Sequence, residues 1–86
     1  MAKYKILIKE LAIKELESIP KKSLTQIIKR IQSLADNPRP KGSQKLSAQE
    51  RYRIRQGDYR IIYSILDDHT TVHVYKIGHR RKGVKL

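Results

Sequence analysis

Residues 51–63 read RYRIRQGDYRIIY, and apolar and basic side chains alternate in this run on both sides of a single glycine. Strict alternation with a period of two predicts strands that are buried on one face and exposed on the other. The turn falls at Gln56-Gly57 or at Gly57-Asp58, and either two-residue loop pairs odd positions with even ones. The run therefore predicts a β-hairpin with one buried and one exposed face.

The parity of this hairpin also predicts which side chains share a face. The apolar face takes Tyr52, Ile54, Tyr59 and Ile61, and we expect the tyrosines, Tyr63 included, to belong to the core. The other face takes Arg53, Arg55 and Arg60. Like charges that face one another across strands destabilise a sheet, so this arrangement favours a surface that binds phosphate over an ordinary solvated face.

The composition also indicates an anionic partner. The chain has 20 lysine and arginine residues against 8 aspartate and glutamate residues, a formal net charge of +12 on 86 residues. That excess predicts a polyanion such as nucleic acid as the partner. The length predicts one domain, residues 1–86. The absence of cysteine excludes disulfides and fits a cytoplasmic protein, and the first apolar run, Ile6-Leu7-Ile8, is too short for a signal peptide or a membrane span.

The remaining elements can be predicted from periodicity and breakers. Residues 4–8 predict a strand, residues 11–19 a helix that Pro20 ends, and residues 21–35 a second helix with apolar positions three and four apart. Residues 37–49 are polar and predict a connecting loop, and residues 71–77 predict a central strand. The fold class is then α+β: strand, helix, helix and a three-strand antiparallel meander, with both helices on one face of a four-strand sheet.

The order of elements resembles that of the RelE/ParE toxin superfamily. The likeness extends to the loop ending in Lys45-Leu46, to the hairpin from Tyr52 to Tyr63 and to the closing Ile77-Gly78-His79-Arg80-Arg81. It implies a toxin of a type II toxin–antitoxin system, with a cognate antitoxin protein as partner. RelE-type members enter the ribosomal A site and cut the messenger RNA there, whereas ParE-type members share the fold and poison DNA gyrase.

The RelE pattern implies the candidate site residues by position. It places basic catalytic side chains at Arg53 and Arg55, at Arg60 and at Arg80. The basic residues nearby are candidates for contact with RNA or the ribosome: Lys45, Arg51, Arg81, Lys82 and Lys85. No cofactor is implied. Three scattered histidines and no cysteine predict no metal site, so the expected reaction is metal-independent attack of a ribose 2′-hydroxyl on the adjacent phosphate.

Two departures from the RelE pattern concern proton transfer. RelE has a tyrosine near its C-terminus where this chain has Leu86, and lysines where this chain has Arg53 and Arg55. Arginine stabilises phosphate charge but keeps its proton, so another group must move protons. His79 is the natural candidate, although only a bend at Gly78 would let His79 and Arg80 face the same substrate. Weaker candidates for proton transfer are Glu50, Lys45, Lys82 and Lys85. A base supplied by the ribosome, or catalysis by orientation of the RNA, is also compatible with this site.

Two classes of function therefore stay open. The first is a ribosome-dependent endoribonuclease that inhibits translation. The second is a module without its own chemistry, either a ParE-like gyrase inhibitor or a catalytically weak homologue that binds RNA or the ribosome. The basic residues of the second helix, Lys21, Lys22, Lys29 and Arg30, are interpreted as a solvated helix face that could also contact ribosomal RNA phosphates.

Overall fold

The computed structural model describes residues 3–46 and 50–79. Strand β1 (Lys5–Ile8) is followed by helices α1 (Glu10–Glu17) and α2 (Lys21–Ser33). Four strands complete the chain in the order β2 (Gln44–Leu46), β3 (Arg51–Gln56), β4 (Tyr59–Leu66) and β5 (Thr71–His79). Within these ranges, neither helix has the length and hydropathy that a membrane-spanning helix needs.

The strands form one mixed sheet in the order β1-β5-β4-β3-β2. The predicted meander of β3, β4 and β5 is confirmed, and β5 lies between β4 and β1, which pairs with it in parallel. The prediction of four strands was wrong, because Gln44–Leu46 forms a short fifth strand along β3. Three residues in a polar segment are too few for alternation to distinguish a strand from a loop.

Both helices lie on one face of this sheet, as predicted. The core is one cluster in which Ala12, Leu16, Ile27 and Ile31 of the helices meet the inward side chains of the strands: Ile54, Ile61, Tyr63, Val72, Val74 and Ile77. Leu11, the first residue of the predicted first helix, is 56% exposed, and Ala12 takes the buried position beside it.

The register of β4 against β5 shifts by one residue near the middle of the pair. Val74 pairs with Tyr63 and Lys76 pairs with Ile62, so that Tyr75 is an extra residue on β5. This arrangement is a β-bulge, which restarts the alternation of side chains between the two faces. Beyond it, β1 no longer borders β5, and Glu15 of α1 accepts a hydrogen bond from the backbone N–H of Ile77 at 2.8 Å.

A polar network joins four segments that are distant in sequence. Arg39 in the loop after α2 forms an ion pair with Asp67 at 2.9 Å and donates to the hydroxyl of Tyr52 at 3.1 Å. Tyr4, just before β1, donates to the same carboxylate at 2.7 Å. The hydrogen bonds from Arg39, and then from Tyr4, lower the pKa of Asp67 below its usual value. Nearby, the hydroxyl of Tyr63 donates a hydrogen bond to the carbonyl of Pro38 at 2.8 Å. Burial raises the pKa of Tyr63 to about 12.

Candidate nucleic-acid interface

Three arginines share the face of the sheet opposite the helices, as the hairpin parity predicted. The turn of the hairpin is Gly57-Asp58, since Gln56 pairs with Tyr59. Ile54 then pairs with Ile61 on the helix side, and Arg55 pairs with Arg60 on the other side. Arg53 lies on that side too, opposite Ile62. We call Arg53, Arg55 and Arg60 the arginine face.

The arginine face has little compensating negative charge. Among the described residues, none of its three guanidiniums makes an ion pair, and the bonded carboxylates are Glu15, Asp36, Glu50 and Asp67, which pair with other cations. Arg53 donates to the side-chain oxygen of Gln44 on β2, a neutral partner. Arg55 and Arg60 are direct cross-strand neighbours, a placement that costs stability unless an anion lies between them.

Gly78 leaves the next position of this face open. It pairs with Arg60 across β4 and β5, so its missing side chain would point to the same side as the guanidinium. A Cβ built there meets no atom of residues 3–46 and 50–79 within 4 Å, so packing among them does not require a glycine. These residues leave space beside Arg60 for a ligand that approaches the backbone closely.

His79, the candidate proton-transfer residue, lies on the other side of the sheet. Strand β5 runs through Gly78 without the bend that would turn His79 toward the arginines. His79 pairs with Tyr59, and the two rings meet edge to face with centroids 4.8 Å apart. Because Tyr59 packs against the core, the histidine belongs to the helix side. The structure does not bring it together with Arg53, Arg55 and Arg60.

The other sequence-predicted residues are scattered around this face or fall outside the described chain. The Arg51 guanidinium lies 4.1 Å from the ring centroid of Tyr75, which the bulge adds to β5. Lys45 is exposed and lies 3.7 Å from Glu50. The positions of Arg80, Arg81, Lys82, Lys85 and Leu86 lie outside the described residues. In the described ranges no three histidine or acidic side chains are grouped as metal ligands would be.

The structure adds one basic residue that the sequence argument assigned to solvent. Lys21, Lys22 and Lys29 of α2 are exposed as predicted, but Arg30 is half-buried and borders a cleft together with Arg53 and Arg55. Helical periodicity places Arg30 beside Lys29 on the polar side, and only the packing of α2 over β3 shows that it turns toward the sheet. The periodic pattern gave no signal for this contact.

The chemical capacity of the site follows from its donors. A guanidinium presents five N–H groups in a planar fork that binds phosphate oxygens in pairs and stays charged at every physiological pH. Three of them on a rigid sheet can bind a nucleic-acid backbone and stabilise negative charge that develops on a phosphate. They cannot act as a general base.

Comparison with known proteins gives the family. Residues 6–83 match the family described as the ParE toxin of the type II toxin–antitoxin system parDE. This chain belongs to that family. This family is part of the RelE/ParE superfamily of toxins, which the hairpin and the Gly-His-Arg sequence resemble. The expected resemblance is therefore confirmed.

RelE proteins are among the relatives of this ParE-family chain. It is 29% identical to a protein assigned as a RelE toxin in Methanocaldococcus jannaschii, over 96% of this chain and 97% of the relative. It is 24% identical to a protein assigned as a RelE-like toxin in Escherichia coli, over 94% and 87% of the two chains. Sequence identity at this level fits both branches of the superfamily.

Solved structures show the same fold. A chain of the RelBE toxin–antitoxin complex from Mycobacterium tuberculosis superposes with a TM-score of 0.83 at 26% identity, covering 93% of this chain and 94% of that one. A chain of the archaeal RelE–RelB complex from Pyrococcus horikoshii gives a TM-score of 0.79 at 26% identity, covering 91% and 96%. The α+β class is thereby confirmed, with a fifth strand added to the predicted four.

Proposed function

We propose that this ParE-family chain is a ribosome-dependent endoribonuclease that cleaves messenger RNA in the ribosomal A site and so inhibits translation. The observation that carries the proposal is the arginine face: three guanidiniums on an open sheet surface, without ion-pair partners among the described residues. A surface of this kind suits a ligand whose charge lies on phosphates. Arg80, next in sequence after β5, is the fourth proposed member.

The proposed reaction is transesterification within the RNA strand. The ribose 2′-oxygen forms a bond to the adjacent phosphorus, and the bond from phosphorus to the 5′-oxygen of the next nucleotide breaks. The products are a 2′,3′-cyclic phosphate and a 5′-hydroxyl, with one proton lost from the 2′-oxygen and one gained by the 5′-oxygen. Arg53, Arg55 and Arg60 would bind the phosphate and stabilise the added negative charge of the transition state.

Proton transfer is proposed to come from outside the arginine face. The arginines keep their protons, and His79 faces Tyr59 on the helix side. Orientation of the RNA for in-line attack, together with charge stabilisation, can supply much of the rate enhancement, while the ribosome supplies the base. Such an enzyme is inert on free RNA, which fits a toxin that acts only on translating ribosomes.

The proposed physiological partner is a cognate antitoxin. The Mycobacterium tuberculosis and Pyrococcus horikoshii relatives were solved as toxin–antitoxin complexes. On this chain, a net charge of +12 favours an acidic, amphipathic segment laid across the basic surface. We expect the partner to be short and negatively charged.

Inhibition of DNA gyrase is the second candidate function. The observation that favours it is the family match itself, which names ParE toxins. The arginine face then serves as a docking surface for a protein and carries no chemistry. Gyrase inhibition gives no reason for open space at Gly78 beside Arg60, so we place it second.

The test is cleavage-site mapping on a messenger RNA, with and without ribosomes stalled with an empty A site. We expect cuts only in the presence of ribosomes, and a loss of at least 100-fold in cleavage rate for Arg60→Ala and for Arg80→Ala, because each removes a donor to the transition state. Lys22→Ala is the matched control, since it removes one exposed positive charge from α2. Absence of cleavage together with inhibition of gyrase supercoiling would establish the second candidate instead.

A further inference from the structure

A basic cleft lies at the outer edge of β3. Strand β2 pairs with β3 at Arg51, Tyr52 and Arg53, so no strand of the described residues borders the rest of that edge. The space there, about 400 Å³, is open to solvent and is lined by Arg30, Gly42, Gln44, Arg53 and Arg55. Helix α2 forms the side of the cleft away from the sheet, since Gln26, one turn before Arg30, contacts Gln56 at the end of β3. We call this space the edge cleft.

The lining of the edge cleft carries positive charge. Of the described residues that line it, Arg30, Arg53 and Arg55 are basic and the other two are neutral. Gln44 accepts a hydrogen bond from Arg53 without neutralising it. Gly42 has a φ of +97°, which glycine adopts without strain, and a Cβ built on it meets no atom of the described residues within 4 Å. No described side chain therefore covers the backbone at this point of the cleft.

Arg30 has an unmet hydrogen-bond requirement in this cleft. Its Nε atom is buried and has no hydrogen-bond partner among the described residues. A buried donor without an acceptor carries the full cost of desolvation, and a nearby like charge increases that cost. A basic side chain in the last turns of α2 can stay in solvent, since Lys29, the residue before Arg30, is exposed. An oxyanion in the cleft would offset the charge of the guanidinium that lines it.

We propose that Arg30, Arg53 and Arg55 form a second phosphate-binding subsite, which holds an RNA phosphate adjacent to the one on the arginine face. The proposal rests on the proposed function. The proposed ligand of the subsite is RNA and not an acidic side chain, because Arg53 and Arg55 belong to both the edge cleft and the arginine face. A ligand with one anionic group at regular intervals fills both sites at once, and a nucleic-acid backbone has that form. Arg30 is thus an RNA-binding residue supplied by a helix.

The experiment measures binding of a fluorescent single-stranded RNA 12-mer by the full chain between 50 and 200 mM salt. The variants are Arg30→Gln, Arg30→Lys and the matched control Lys29→Gln, which removes the neighbouring exposed charge. We expect Arg30→Gln to weaken binding about ten-fold at low salt and to reduce the slope of log K against log salt by about 0.7, the value for one phosphate contact on a single strand. Arg30→Lys keeps the slope and recovers part of the affinity. Lys29→Gln changes neither quantity by a comparable amount.

Three outcomes would overturn the subsite. Equal effects of Arg30→Gln and Lys29→Gln would show that only overall charge matters. An unchanged slope in a folded Arg30→Gln variant, checked by circular dichroism, would show that Arg30 meets no phosphate. If Arg30→Gln bound an oligoglutamate peptide more weakly than wild type and bound RNA equally well, the edge cleft would be assigned to a protein carboxylate. None of these measurements requires cleavage, so wild-type activity on stalled ribosomes still tests the proposed function separately.

Discussion

At the scale of single residues, Ile61 and Ile62 are neighbours in β4 with opposite surroundings. Ile61 has no exposed surface and pairs with Ile54 and Ile77 in the core. Ile62 is half-buried on the side of the arginine face, between Arg53 and Lys76. The same substitution should therefore give opposite results at these two positions.

We expect Ile61→Asp to unfold the chain and Ile62→Asp to leave it folded. The first change buries a carboxylate without a partner, whereas the second places one beside two positive side chains. Ile62→Asp should also weaken RNA binding by about ten-fold, since the new charge repels phosphate and occupies Arg53. Far-ultraviolet circular dichroism and RNA titration measure the two effects. An Ile61→Asp variant that kept the circular dichroism spectrum of the folded protein would disprove the assignment of faces.

The sequence predicted part of this site because the hairpin obeys a single rule. Alternation and a two-residue turn suffice to place Arg53, Arg55 and Arg60 together. His79 required knowledge of the extra residue in β5, which no pattern in residues 71–77 indicates. Arg30 required the position of α2 over β3, which depends on how the core residues of distant segments fit together. Periodicity identifies the faces of one element and says nothing about how a side chain is placed between two elements.

At the scale of elements, the end of β5 depends on α1. Beyond the bulge this strand has no β1 neighbour, and the Glu15 carboxylate takes the place of a strand acceptor for the N–H of Ile77. The other oxygen of Glu15 forms an ion pair with Lys76 at 2.9 Å. One helical carboxylate thus fixes the segment that leads into Gly78 and the fourth proposed arginine.

Removing this carboxylate and removing its lysine partner should have unequal effects. Glu15→Ala leaves a backbone donor without its acceptor, at a cost of about 1–3 kcal/mol, and should lower cleavage by loosening the end of β5. Lys76→Ala removes a mostly exposed ion pair and should cost less than about 1 kcal/mol. Urea unfolding gives both values, and hydrogen exchange of the Ile77 amide reports the local effect. Equal destabilisation would mean that the ion pair, and not the backbone contact, matters.

The element order was predictable, and the sheet edges were not. The meander and both helices follow from apolar spacing and from Pro20, whereas Gln44–Leu46 becomes a strand because β3 offers it a free edge. The parallel pairing of β1 with β5 is also an edge pairing. The two helices carry the chain from β1 across one face of the sheet to the opposite edge, where β2 lies. Edge pairings of this kind depend on tertiary structure more than on local sequence.

At the scale of the whole molecule, Asp67 connects the two ends of the sheet order. It binds Tyr4 next to β1 and Arg39 in the loop that leads to β2, so the segments that precede the first and last strands of the sheet share one carboxylate. Arg39 also lies over the ring of Tyr52, with 5.4 Å between guanidinium and centroid. The network links segments from both edges of the sheet, and its central group, the Asp67 carboxylate, can be titrated.

The contribution of this carboxylate should disappear in acid. Hydrogen bonds from Arg39 and Tyr4 favour the ionised form and lower the pKa of Asp67 in the folded state. A lowered folded-state pKa stabilises the fold above the unfolded value, about 4, and the benefit is lost as pH falls through the folded value. We therefore expect Asp67→Asn to unfold at lower urea than wild type at pH 7 and at similar urea near pH 2. A constant difference between the two proteins across this range would contradict the assignment.

The bulge at Tyr75 decides which side of the sheet each later residue of β5 takes. Val74 and Ile77 lie three positions apart in sequence, and both face the core because the bulge accommodates Tyr75 as an unpaired residue. Deletion of Tyr75 would leave a regular strand in which Ile77 still pairs with Ile61 and Gly78 still lies beside Arg60. Straightening the bulge with Tyr75 retained would instead exchange the two sides, turning Ile77 toward solvent and the imidazole of His79 to the arginines. The local conformation of β5, more than its length, therefore sets which chemical groups the sheet presents.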